Sequence, residues 1–247
     1  MNRWKSMLGV AFVALPILPR TAPQQQKPVE AARVDGEFCP QIEQHCRRWL
    51  PNTDEVKSPE PLRCAEFAPS VCKTKTRHMS FYMDRYEYPG RAGELPMVDV
   101  SWPKAAKLCE SRGKRLCTAE EWMLACEGDK LLPYPYGLTR DASACHIDAP
   151  LRPPGSPKGR SAPAHWLTPI DQREPSGSRP RCQSPFGVFD MTGNVDEWVD
   201  GRASGHASSS MGGYWGPVRN RCRVVTRAHD EHFSFYQTGF RCCRDAD

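Results

Sequence analysis

Two carboxylates flank a glycine turn in the segment Phe186 to Val199, FGVFDMTGNVDEWV. Asp190 and Glu197 supply hard, charged oxygens, and Gly193 permits a positive φ that turns nearby carbonyls toward a common point. Carboxylate and carbonyl oxygens together are how Ca²⁺ is held. An ordinary turn with an asparagine-assisted cap is the plainer reading of the same residues. A second dense group is His229-Asp230-Glu231-His232. Its side chains are of metal-ligand type, but no facial-triad spacing is present, and a solvated loop between strands accounts for it. Serines crowd Ser204 to Ser210 around His206. That run reads as a flexible loop, because a nucleophile elbow needs G-x-S-x-G on a strand–helix turn. Arg227 and Arg241 read as structural ion-pair or hydrogen-bond residues in preference to substrate clamps.

The chain carries 12 cysteines in 247 residues. Its start, Asn2-Arg3-Trp4-Lys5 followed by an apolar run from Met7 to Leu18, reads as a secretory signal. A spanning helix needs about 20 apolar residues. An even number of cysteines in an exported chain reads as a disulfide framework. No C-x-x-C occurs, so zinc-type spacing is missing. Local pairs Cys39–Cys46 and Cys64–Cys72 are expected near the N-terminus. Cys145–Cys182 would tie down an irregular stretch from 129 to 185, too long for an untethered loop in a compact domain.

Elements to position these groups follow from local signals. Net charge is +5, with no run of five like charges. A dedicated nucleic-acid footprint clusters its Lys and Arg, so no nucleic-acid partner is expected. The boundaries read as 1–22 signal, 23–34 flexible tether, 35–78 a cysteine-containing appendage and 79–247 the main domain. Met79 to Tyr88 alternates and is aromatic enough for a strand. Ser101 and Pro103 open a first helix that ends by Gly113. Thr118 and Glu121 form a capping box for a second, which Gly128 stops. Strand-like Cys222–Thr226 and Thr238–Cys243 close the chain. The order gives an α+β class.

Six ordered segments resemble the formylglycine-generating-enzyme, or sulfatase-modifying-factor, family. They are Pro96–Trp102, Gly113–Trp122, Tyr134–Gly137, Phe186–Trp198, Gly212-Gly213 and Gly239–Cys242, and they span about residues 79 to 245. The resemblance implies a C-type-lectin-like fold with little regular structure. It implies calcium held by Asp190, Gly193, Val195 and Glu197, with a second family site falling near His146-Ile147. It also implies a Cys109–Cys242 bridge, and one from Cys126 to the penultimate strand, where Cys222 stands, leaving Cys117 for Cys243. The family holds Cu(I) on two cysteines just after its Gly-Gly motif. Here that stretch, Tyr214 to Arg221, contains no cysteine, and a soft metal needs soft ligands.

The resulting expectation is a periplasmic or secreted, calcium-containing but copper-free module that makes no formylglycine. It would bind a protein or glycan through its long loops, with Tyr214 and Trp215 as groove contacts, and have no membrane span once the signal is removed. The alternative is a periplasmic oxidoreductase or maturation enzyme with altered chemistry, with His229 and His232 as its metal ligands.

Overall fold

The computed structural model describes residues 30–54, 58–151 and 170–246. The signal (1–22) and most of the tether (23–29) lie outside the described residues.

Strand β1, Ala31–Phe38, alternates exposed and buried positions along its whole length. Ala32, Val34 and Phe38 form its inner face, as period-two geometry requires. It pairs antiparallel with all eight residues of β6, Arg77–Asp84. The expected tether therefore ends at residue 30, because residues 31–34 have an apolar face that the sheet buries. The expected appendage shrinks to the chain between β1 and β6. It holds β2 (Ile42–Glu43), β3 (Cys46–Leu50), β4 (Arg63–Phe67) and β5 (Val71–Cys72), paired as β2–β5 and β3–β4.

Helix α1, Trp102–Glu110, has Pro103 in its first turn, but Ser101 makes no side-chain cap. Strand β7 (Arg115–Leu116) leads to α2, Ala119–Glu127. Both halves of the α2 capping box form between Thr118 and Glu121, and Gly128 ends the helix at φ 61°. The remaining strands are β8 (Asp196–Asp200), β9 (Ser208–Met211), β10 (Val225–Thr226), β11 (Thr238–Phe240) and β12 (Cys242–Asp245). Ser208 to Ser210 belong to β9, not to a loose loop, because β8 and β10 pair with both its edges.

Two four-stranded sheets result, in the orders β1-β6-β12-β7 and β10-β9-β8-β11. The pair β8–β11 is parallel and the others are antiparallel. Residue 241 is the link between them, since β11 lies in one sheet and β12 in the other. Trp122, Trp198 and Phe240 are buried around this junction.

All 12 cysteines are bridged. The pairs are Cys39–Cys72, Cys46–Cys64, Cys109–Cys242, Cys117–Cys243, Cys126–Cys222 and Cys145–Cys182. The local pairs Cys39–Cys46 and Cys64–Cys72 are corrected to nested ones. The hairpin β3–β4 brings Cys46 to Cys64, and β2–β5 brings the chain beside Cys39 to Cys72.

Candidate functional site

The turn before β8 takes positive φ at Asp190 (59°), Gly193 (89°) and Asn194 (55°). Gly193 has no alternative, because a Cβ there would lie 2.2 Å from the His146 carbonyl oxygen. The turn aims its polar groups inward. Asn194 donates to Glu87 at 2.8 Å, and Ser176 donates to the other Glu87 oxygen at 2.6 Å. Gly177 donates its backbone N–H to Asp190 at 2.7 Å. Burial pushes the carboxyls of Glu87 and Asp190 above the usual range, and for Asp190 the nearby Glu87 adds to the effect.

Glu197 faces Arg241. Both carboxylate oxygens accept from the guanidinium at 2.6 Å, and Trp122 donates its indole N–H at 2.8 Å. Both side chains are 1% exposed. The rest of the guanidinium donates to the carbonyls of Asp84, Arg85 and Phe189. Burial opposes the Arg241 charge, but Glu197 more than offsets it and holds the group protonated.

This donor set does not fit calcium as placed. Glu197 is committed to a cation already, and both of its oxygens are taken up by the Arg241 guanidinium and the Trp122 indole. Among the described residues no group of three or more His, Cys, Asp or Glu is placed to hold a metal ion. His146 is also engaged, its ring meeting the Gln172 carbonyl at 2.6 Å and Glu174 at 3.4 Å.

The loop after β9 forms the second part. Gly213 donates to the Asp196 carboxylate at 3.0 Å, and Asn220 donates to the Tyr214 carbonyl at 2.6 Å. Trp215 is 1% exposed and sits between Tyr214 (5.7 Å) and Tyr236 (6.0 Å). It is a packing residue, not the groove contact expected of it, while Tyr214 is partly exposed. His229 stacks on Phe233 at 3.8 Å and His232 is exposed beside Glu231. Neither is brought to a metal-type cluster. Arg227 is exposed. An open cavity of about 640 Å³ lies between the 136–141 loop and residues 180–183, next to the Cys145–Cys182 bridge.

Asp196 was not singled out by sequence reasoning. Burial raises its carboxyl to about 7. A carboxyl with a raised folded pKa favours the protonated fold, so its cost to stability appears as pH rises from about 4 to about 7. Asp196→Asn should melt with the parent at pH 4 and above it at pH 8. With partial exposure discounted, the gain is on the order of 2 kcal/mol. Parallel melting curves across that range would contradict this assignment.

Comparison with known proteins places this geometry. Residues 44–246 match the family described as sulfatase-modifying factor enzyme 1-like domain. The inactive C-alpha-formylglycine-generating enzyme 2 of Mus musculus is 33% identical over 168 residues, covering 62% of this chain and 50% of the relative. The formylglycine-generating enzyme of Thermomonospora curvata is 30% identical over 181 residues, covering 61% and 55%. The chain thus spans about half the length of the curated relatives it matches. The crystal structure of CarF superposes with a TM-score of 0.53 at 17% identity, over 89% of this chain and 99% of that one, and supports the fold alone.

Proposed function

Because the chain belongs to the sulfatase-modifying factor enzyme 1-like family, we propose that it is an extracytoplasmic binding or accessory module of that fold and generates no formylglycine. The observation that carries this reading is the engagement of every cysteine in a bridge, Cys222 with Cys126 included. Copper-dependent oxidation on this fold needs thiolates, and a bridged sulfur is not one. The loop from Tyr214 to Arg221 has no cysteine of its own. Six disulfides fit a chain that works outside the cytoplasm, and export by a cleaved signal is part of the proposal. No helix among the described residues is long and apolar enough to cross a membrane. The long loops on either side of β8 and β9 are the surfaces offered to a protein or glycan.

Intact mass after alkylation without reductant is the direct test. The expected result is no added alkyl group, no tight copper binding and no aldehyde on a sulfatase-motif peptide. Two alkylated cysteines including Cys222, together with aldehyde formation, would overturn the reading.

A further inference from the structure

Arg221 is half-buried, and its Nε has no hydrogen-bond partner. Its guanidinium lies over the Phe67 ring at 5.7 Å. Among the described residues it has no ion pair; burial, and then the like charge of Arg219, disfavour its protonated form.

More positive charge stands behind it. Arg140 donates to Asn220, Val218 and Asp148, and so grips the backbone on which Arg219 and Arg221 sit. Arg63 donates to the same Asp148 at 3.0 Å, and its Nε is also buried without a partner. Tyr134 lies among Arg140, Arg221 and Asp148 and feels all three charges. Arg63 and Arg140 thus share one carboxylate, Asp148, and Arg221 stands beside the same Tyr134 with no carboxylate of its own among the described residues. An arginine is costly to bury unpaired, and its planar fork of donors matches a tetrahedral oxyanion. Unused N–H groups on two such forks are unmet donors of the kind an anion satisfies.

We propose that Arg221, with Arg219 at its rim and the Arg63–Arg140 pair behind it, binds a tetrahedral oxyanion, either sulfate or phosphate, free or as an ester on a larger ligand. The site goes beyond the reading above and stands whether or not the thiols are free, so the failure of one leaves the other intact.

The test uses the full chain in titrations of inorganic sulfate, inorganic phosphate, glucose 6-sulfate and glucose 6-phosphate, with chloride holding ionic strength constant. Concentrations stay at about 10 mM or below, where general salting effects are small. Saturable binding by calorimetry and a saturating rise in melting temperature are expected. Arg221→Met should abolish both, and should itself melt higher than the parent in chloride, because it removes an uncompensated charge. Arg219→Gln, at an exposed position, should weaken binding by about tenfold or less while leaving the fold unchanged, and it serves if Arg221→Met does not fold. Tighter binding of the esters assigns the site to an esterified ligand, and equal binding assigns it to the free anion. No saturable binding by any of the four, or equal affinity in both variants and the parent, would overturn the site.

Discussion

Arg241→Met is expected to cost about 3–5 kcal/mol of stability, which is the usual price of breaking a buried ion pair from one side. The substitution leaves the Glu197 carboxyl 1% exposed, without its cation and holding only the Trp122 N–H. It also strips donors from the carbonyls of Asp84, Arg85 and Phe189 at the junction of the two sheets. Glu197→Gln should cost less, because an amide of the same shape keeps an acceptor for Arg241. Chemical denaturation of the two variants measures this directly. Because the pair leaves Glu197 no free role toward a cation, calcium and chelator should leave the melting temperature of the parent unchanged. A calcium-dependent shift of several degrees, abolished by Glu197→Gln, would show that Glu197 serves a metal after all.

The second large effect comes from Cys242 and Cys243, adjacent residues bridged to different elements. Cys109 reaches Cys242 from α1, and Cys117 reaches Cys243 from the turn before α2. Either bridge alone holds the other's partners close, since Cys109 and Cys117 are only eight residues apart. Removing one pair to serine then frees a loop of roughly ten residues and should cost about 3 kcal/mol by chain entropy. With both gone, the next constraint is Cys126–Cys222, which leaves an effective loop of roughly 30 residues. The combined loss should reach about 6 kcal/mol. That is enough to unfold many domains, whose total stability is about 5–15 kcal/mol. Denaturation of the two single-bridge variants and the double variant tests the sequence of losses. A double variant no weaker than either single one would refute the shared-loop account.

Several of these features were legible in the sequence, and the reasons differ. The second helix was readable because its capping box and terminating glycine are local chemistry. The pairing of Cys109 with Cys242 followed from a family resemblance, not from spacing. The nested N-terminal bridges were not readable, because connectivity is set by which short strands pair, and two-residue strands such as β2 and β5 leave no periodic trace. β1 was missed whole, its residues read as tether and appendage, because an inner face of Ala32, Val34, Gly36 and Phe38 set among charged residues carries little hydrophobic signal. The turn around Gly193 was placed correctly, but the pairing of Glu197 with Arg241 was not foreseen. Its partner Arg241 lies 44 residues away, and only the third dimension shows that the carboxylate is already neutralised. Trp215 invited a reading as a ligand contact from its place beside the Gly-Gly turn, and burial between two tyrosines decides otherwise. Arg221 left no signal at all, since an unpaired arginine is defined by what fails to come near it.

The crossing at residue 241 also sets the timing of assembly. β11 joins one sheet and β12 the other, so neither sheet is complete until this short C-terminal run has emerged. The bridges anchored there span 133 and 126 residues. As the chain emerges, the first half of the domain must therefore wait, with Cys109 and Cys117 reduced or wrongly paired, until nearly the whole chain is available. Such long-range closure is slow and exposes unfinished strand edges meanwhile. Oxidative folding of this protein is thus expected to depend on a disulfide isomerase more than on an oxidant, because the vacant early cysteines meet each other before they meet their native partners.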